Sequence, residues 1–430
     1  MVQPLEVLPY LYQKLDIQVP VRVRVGSAWD SGNDNTINSV SEDSFHESGL
    51  LASHKFDNNA DGFFEGGTTY LYDGKFRETA EAEIEYGPDG ITPVAVSTYS
   101  LAYDSMGHRS SYTSEYDDDG NTSIESSSKD VYSYNAVGQL TTEVSTSDDD
   151  HNGVPEYERT FTYTYDDNGN RLTSDRSTDS NANGTVDARI LITYTYDSEN
   201  RRTSLSTRTD DDANGDFESH IESIYTYDAS GNLTLEVQNS DSNNDSNVNS
   251  TVRNTFTYDA QGRRLTLLQE DDYTNNGSVN LRALATLTYN DAGQVLSQIL
   301  ARDNNGDNSY NRIDTETSTY NSTGKRLTSI RERDLNNNGT TDYRTTETTT
   351  YDSNGGRLTN VYELDSDANG SPDTRSTTTN TNDDRGNRLS SLRTDDDDGD
   401  GNVDSESLRT YNYTEFADGV AYLSAIYFGL

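Results

Sequence analysis

The sequence predicts an all-β fold, an elongated array of tandem 31-residue units with two strands and two turns each. Three observations lead there. A Tyr-Asp or Tyr-Asn pair returns at Tyr72, Tyr103, Tyr134, Tyr165, Tyr196, Tyr227, Tyr258, Tyr289, Tyr320 and Tyr351; the tyrosine lapses to Asn382 and resumes as Tyr413, always in steps of 31 residues. Fourteen residues after most of these tyrosines stands an acidic loop of the form Asp-x-Asn/Asp-x-Asn/Asp-Gly-x-x-Asp/Glu. The residues before each tyrosine alternate in polarity. A fixed period of this length marks an array in which each unit buries its apolar face against its neighbours.

The unit from Tyr165 to Thr195 shows each element in turn. Asp166-Asp167-Asn168-Gly169 is turn chemistry, because glycine takes a positive φ without steric cost. Asn170 to Ser177 reads as a polar strand, and the acidic loop runs from Asp179 to Asp187. Ala188 to Thr195 is β-branched and aromatic, as strands prefer. Ile190, Ile192, Tyr194 and Tyr196 share one face, and Arg189, Thr193 and Thr195 the other. The phase recurs at Ile221, Tyr225 and Tyr227 and at Phe256 and Tyr258, so stacked units would line rings into columns. Arginine recurs six residues after the tyrosine, at Arg171, Arg202, Arg264, Arg326, Arg357 and Arg388. Its guanidinium can stack on tyrosine and pair with carboxylates. Packing is the first reading of these residues; a ligand groove on the tyrosines is the other. Two strands of about nine residues per unit suggest serial antiparallel hairpins in a ribbon or tube, about 115 Å across 24 strands. A two-sided β-solenoid is the alternative. The short Tyr-Asp-x-x-Gly turn favours hairpins.

Composition narrows the function. Only 30% of the 430 residues are hydrophobic, and the net charge is −43. Such values often mean disorder, but the apolar residues recur at fixed phase, so a thin core and some relief of charge repulsion are implied. Nucleic acid is excluded as a partner, since phosphate binding needs clustered Lys and Arg, and the 32 basic residues are spread through the units. No apolar run is long enough for membrane insertion. Cysteine is absent, which leaves the redox compartment open. Met1 to Val25 lacks the pattern of a signal peptide, so a trimmed chain or another export signal is expected.

The acidic loops carry the chemistry. The best are Asp57, Asn59, Asp61 and Glu65; Asp148, Asp150, Asn152 and Glu156; and Asp179, Asn181, Asn183 and Asp187. Further copies are Asp210, Asp212, Asn214 and Glu218; Asp334, Asn336, Asn338 and Asp342; Asp365, Asp367, Asn369 and Asp373; and Asp396, Asp398, Asp400 and Asp404. A looser copy holds Asp241, Asn243 and Asp245, and another begins at Asp272. Calcium takes six to eight hard oxygen ligands around a tight turn. Positions 1, 3 and 5 offer side-chain oxygens, glycine at 6 permits the turn, position 7 can offer its carbonyl and position 9 closes the site. Position 12, a bidentate Glu in an EF-hand, here holds Ile190, Ile221 or Thr345. The loops resemble instead those of thrombospondin type 3 repeats, which implies Ca2+ as cofactor. Affinities on the order of 10⁻⁴–10⁻³ M, suited to extracellular calcium, are expected. Nine divalent ions would cancel 18 of the 43 net negative charges and leave −25. The loops at Asp117 and Asp303 have the glycine too early and are expected to be turns without metal. Around Tyr86 to Gly90 the motif is lost.

Tyr165-Asp166-Asp167-Asn168-Gly169-Asn170-Arg171-Leu172 resembles the YD-repeat (Rhs-type) signature, and Tyr258-Asp259-Ala260-Gln261-Gly262-Arg263-Arg264-Leu265 does so more closely. The resemblance covers residues 70 to 415. It implies extracellular or cell-envelope β-sheet assemblies, some coiled into hollow shells and some linked to carbohydrate. The acidic loop lengthens the repeat beyond that family's, and no Rhs-type release segment or toxin domain is recognisable in these residues.

Three segments are expected: an N-terminal cap or assembly segment at 1–50, the twelve-unit array at 51–415, and an apolar strand at 416–430. Val19 to Val25 alternates like a strand, and Ser27 to Asp43 reads as loop. The ends either cap the open sheet edges or pair head to tail into a homopolymer. The leading function is a secreted or cell-surface calcium-binding structural protein of a fibre or matrix. The alternatives are a carbohydrate-binding adhesin using the tyrosine face and a fragment of a Rhs-type shell. No enzyme is expected. His46, His54, His108, His151 and His220 are scattered, and a carboxylate repeated at every loop is metal patterning rather than a glycosidase pair.

Overall fold

The computed structural model describes residues 23–29, 39–46, 50–384, 386–415 and 421–424, with the backbone alone for 23–29, 412–415 and 421–424. Every regular element in it is a strand. One sheet of 26 strands holds the chain from Val23 to Thr410. Each strand pairs antiparallel with the next in sequence, as Tyr157–Tyr165 does with Arg171–Asp179 and that strand with Ala188–Tyr196. Hairpins, not solenoid coils, are therefore the repeating unit. From Arg109–Asp117 to Arg388–Asp396 every strand is nine residues long. No ladder joins the last strand, Ser405–Thr410, to the first, Val23–Trp29, yet the two approach within 8 Å between Cα atoms.

The two turns differ in kind. At the tyrosine end the chain reverses over Asp166 to Asn170, closed by the Asp166 amide on the Asn170 carbonyl (2.9 Å) and the Gly169 amide on the Asp166 carbonyl (3.0 Å). Gly169 has a φ of 88°, and the register slips between Thr164 and Tyr165. This is a tight turn followed by a bulge, which admits the extra residue and strengthens the local twist. The Asp166 Oδ1 accepts the Asn168 and Asn170 amides, and its Oδ2 the Asn170 side chain. The hydrogen bond from the Asn170 side chain, with those backbone amides, holds the Asp166 carboxyl below its usual range.

The tyrosine before that turn is a staple between units. The Tyr258 hydroxyl donates to the Leu233 carbonyl, 25 residues back, at 2.8 Å. Tyr103, Tyr134, Tyr165, Tyr196, Tyr227, Tyr289, Tyr320 and Tyr351 do the same one unit at a time. Where the tyrosine lapses, Asn382 Nδ2 reaches the same carbonyl, that of Arg357, at 3.4 Å. Replacing Tyr258 by Phe removes one such bond while keeping the ring. A loss of about 1 kcal/mol is expected, read as earlier local opening in hydrogen exchange around Leu233. Unchanged protection there would show the hydroxyl to be idle.

The tyrosines recur at one register from unit to unit, but their rings do not touch. Among the described residues no ring pair joins one of these tyrosines to the next; the contacts are local, such as Tyr99 on Tyr112 at 6.0 Å and Phe161 on Tyr163 at 6.2 Å. Successive units are two strands apart, roughly 9.6 Å, beyond the reach of ring stacking. Cations fill the gap. Arg77 lies over Tyr103, Arg201 over Tyr227, Arg263 over Tyr289 and Lys325 over Tyr351, at 4.1–5.0 Å. These cations come five residues after a tyrosine. The arginines at the sixth place cover other rings, as Arg171 does for Tyr163 and Tyr194 and Arg202 for Tyr225.

The core is thin and lies at one end. Buried apolar side chains concentrate in the strands between Gly66 and Tyr103, around Leu71, Ala80 and Ala82. Elsewhere both faces are Thr- and Ser-rich and half-buried. Part of the expected loop from Ser27 to Asp43 is strand: Val23–Trp29 pairs with Ser39–Phe45, which pairs with Leu51–Asp57. Polar composition signals loop only in a chain whose strands are apolar, and here they are not. In the tail, Ala421–Ser424 pairs with Asn412–Glu415 of its own chain as a separate hairpin. Most of 416–430 and of 1–38 lies outside the described residues.

Candidate metal centre

Eleven loops at the opposite ends of the strands from the tyrosine turns share one architecture. In each, Oδ2 of the first Asp accepts the amide of position 6 at 2.6–3.0 Å, from Gly62 through Gly184 and Gly215 to Gly401. In each, the side chain of position 9 accepts the amide of position 2, as Glu65 does from Asn58, Asp187 from Ser180 and Asp404 from Asp397. Between these clamps the side-chain oxygens nest inward. Asn181 Oδ1 accepts the Asn183 amide, and Asn183 Oδ1 the Thr185 amide. Such Asx turns let a short polar side chain replace missing backbone partners.

The clamp forces two residues into the left-handed region. Position 6 is usually glycine, and position 4 is Ala60, His151, Ala182, Ala213, Asn244, Asn275, Asn337 or Ala368, with φ between 48° and 54°. Two loops place their glycine differently and keep the same shape. In the loops at Asp117 and Asp303 glycine has moved to position 4, as Gly120 and Gly306, while Thr122 and Asn308 take the positive φ at position 6. The loops keep their shape, and Asp117, Asp119 and Glu125 bring carboxylate oxygens within 4.8 Å of one another. The signal was there: Glu125 and Asn311 stand eight residues after Asp117 and Asp303, the same spacing as in the other loops. A β-carbon on Gly215 would meet no atom within 4 Å, so Gly215→Ala tests backbone strain alone. With a φ of 97° it is expected to cost about 1–2 kcal/mol and weaken metal binding at that loop. Ala213→Gly should bind at least as well. Equal affinity for both variants, by titration calorimetry, would remove the backbone from the argument.

Burial is inverted. In most loops the first Asp is among the most buried side chains of the molecule: Asp303 is 1% exposed, Asp210 2%, Asp57 and Asp117 3%. Carboxylate oxygens converge in the groups Asp57, Asp61, Glu65; Asp148, Asp150, Glu156; Asp210, Asp212, Glu218; and Asp365, Asp367, Asp373. Asp179 is likewise buried and clamped by Gly184, with Asp187 as the second carboxylate. In the loop of Asp334, Asn336, Asn338 and Asp342, Asp334 takes the Gly339 amide and Asp342 the Leu335 amide. Asn249 closes the loop of Asp241, Asn243 and Asp245, taking the Ser242 amide. Hydrogen bonds from Ser366 hold the Asp373 carboxyl below its usual range, and those from Asn402 do the same for Asp400. At Asp272 burial opposes ionisation, but the amides of Gly277, Thr274 and Asn276 outweigh it and hold the carboxyl low.

Among the described loop carboxylates two oxygens have no partner: Oδ1 of Asp210 and Oδ1 of Asp396 are buried and accept no hydrogen bond. A buried anion without compensation is costly. At Asp210 the neighbours are two more carboxylates, Asp212 and Glu218, which raise the cost further. Such a donor set fits a hard divalent cation and no organic ligand. The side chains at 1, 3, 5 and 9 would hold it, and the oxygen-only set favours calcium or magnesium over softer metals.

No protein-family model matches the chain, and no curated protein does. Several solved structures are similar in part. The crystal structure of TcdB2-TccC3-TEV matches at 14% identity and a TM-score of 0.27, over 93% of this chain and 21% of that one. A Tc holotoxin pore from Photorhabdus luminescens matches at 12% and 0.21, over 90% and 23%. A porin-like protein from Bacteroides uniformis matches at 12% and 0.24, over 59% of this chain and 94% of that one. This chain spans about a fifth of the first two. At such TM-scores the overall shapes differ, and they do not decide a family.

Proposed function

We propose that the chain is a calcium-rigidified structural repeat protein that works outside the cell or at its surface, a scaffold rather than a catalyst. The observation that carries this reading is the orphaned, buried Oδ1 of Asp210 beside Asp212 and Glu218. Calcium supplies the missing charge and also relieves a net charge of −43. Loops built from short Asp and Asn side chains, without a bidentate Glu at position 12, bind weakly, on the order of 10⁻⁴–10⁻³ M. They fill only where calcium is millimolar, which supports an extracellular or surface location. The thin-cored, half-solvated sheet suits a structural component of a surface or matrix better than an enzyme. Two measurements test the reading. Calcium titration should show about ten weak sites, with one lost in Asp210→Asn. Fractionation of the source cells with a specific antibody should place the protein outside the cytosol. Saturation at micromolar calcium, or a cytosolic pool only, would overturn it.

A further inference from the structure

On the tyrosine face, between Gln298 and Tyr362, five guanidinium groups face three carboxylates. Arg302, Arg312 and Arg333 converge on the single carboxylate of Asp314: Arg302 is ion-paired to it, Arg312 stands at 3.1 Å and Arg333 at 3.6 Å. Arg331 bonds Glu316 at 2.9 Å, and Arg326 is shared between Glu316 at 3.7 Å and Glu347 at 2.7 Å. This patch carries an excess of two positive charges in a chain of net −43. Other ion pairs of the sheet are one to one, such as Arg189 with Asp175 and Arg282 with Glu270.

Folding alone does not account for the arrangement. Arg302 and Arg312 stand directly opposite each other across two strands, a like-charge cross-strand pair that destabilises a sheet. The Arg333 Nε is buried and donates no hydrogen bond, its nearest carboxylate oxygen, on Asp314, standing 3.6 Å away. Its guanidinium lies 4.9 Å over the Tyr343 ring, which keeps it flat and fixed. Two concavities meet here, sharing Glu316, Arg331 and Arg333; one runs towards Leu300 and the other towards Tyr343 and Tyr362. Tyr362 is 41% exposed. Fixed, planar, under-compensated guanidinium groups are built to take an oxyanion in a fork, and an exposed ring beside them offers a flat apolar surface.

We propose that this patch is a binding site for an acidic polysaccharide, whose sulfate or carboxylate group seats among Arg302, Arg312, Arg331 and Arg333 while a sugar ring lies against Tyr362. A sparsely charged glycan fits better than nucleic acid. A phosphate on every residue would bring a long polyanion against the acidic loops that flank the patch, whereas an isolated anionic group need only meet the arginines. The site is independent of the metal loops and stands or falls separately from the scaffold reading.

The test is fluorescence anisotropy on the calcium-loaded full chain, with four labelled probes: a hexasaccharide bearing one uronate and one sulfate on otherwise neutral sugars, its desulfated form, neutral cellohexaose and a six-residue oligothymidylate. The sulfated probe should bind at least tenfold more tightly than cellohexaose and weaken with salt. The desulfated probe separates the sources of the anion: equal binding assigns the carboxylate, weaker binding the sulfate. Arg331→Gln with Arg333→Gln should cost the sulfated probe at least tenfold, with the circular dichroism spectrum unchanged. Glu347→Gln, which frees Arg326, should tighten binding; a purely structural cluster would not respond so, and this readout stands even if the double variant fails to fold. Equal binding of cellohexaose, tighter binding of the oligothymidylate, or no tightening in Glu347→Gln would overturn the proposal.

Discussion

Chelation of calcium is expected to lower the unfolding temperature of this protein by roughly 20 °C, followed by circular dichroism at 218 nm or so, where strands absorb. The size follows from linkage. A site at ten times its dissociation constant contributes about 1.4 kcal/mol, so about ten sites would contribute about 14 kcal/mol, as much as the entire stability of an ordinary domain, about 5–15 kcal/mol. The sheet has little else to rely on. Its buried carboxylates far outweigh its buried apolar side chains beyond Tyr103. Magnesium should restore little of the loss, since it demands near-ideal octahedral geometry and sheds water reluctantly. High salt should restore part of it by screening the negative charge. A melting curve that ignores chelator would reduce the loops to ordinary Asx turns and remove the support for a calcium scaffold.

The second large effect is expected at Leu71. This side chain is 2% exposed and packs in the cluster with Ala80 and Ala82. Leu71→Ala should cost about 2–5 kcal/mol, the usual range for a buried leucine. Its consequence should be local. In an array each unit contacts only its neighbours, so stability is close to a sum of unit and interface terms. Hydrogen exchange in Leu71→Ala should therefore show early opening of the strands between Leu51 and Tyr103, with protection near Tyr258 unchanged. Uniform loss along the chain would instead make the whole sheet one cooperative unit.

Much of this was legible in the sequence, because the repeat states each local rule many times over. The nine-residue strands, the Asp-x-x-Gly turn and the acidic loops all stand where the 31-residue phase puts them. Those features depend on residues a few places apart. What escaped depends on residues that meet across units. The acceptor of each tyrosine hydroxyl lies 25 residues back, as Leu233 does for Tyr258, and a carbonyl carries no mark in the sequence. Alanine at position 4 gives no hint of a positive φ, so Ala182 and Ala213 concealed half of the loop's backbone rule. Once that rule is known, Gly120 and Gly306 cease to be misplaced. Ser39–Phe45 escaped because a polar strand looks like a loop until its partners are seen. The arginine cluster escaped for the same reason: Arg302 and Arg312 are separated by a loop in sequence and face each other only once the hairpin is made.

The approach of the first strand to the last has a geometric consequence. Twenty-six strands at ~4.8 Å make a perimeter of about 125 Å. A band of that length whose end strands meet would enclose a bore on the order of 40 Å across. Side chains on both faces stay half-exposed along most of its length, so neither face is sealed against water. Each further 31-residue unit would lengthen the wall by about 9.6 Å and widen the opening by about 3 Å. Repeat number, which in a straight fibre would set only length, would in such a ring set calibre.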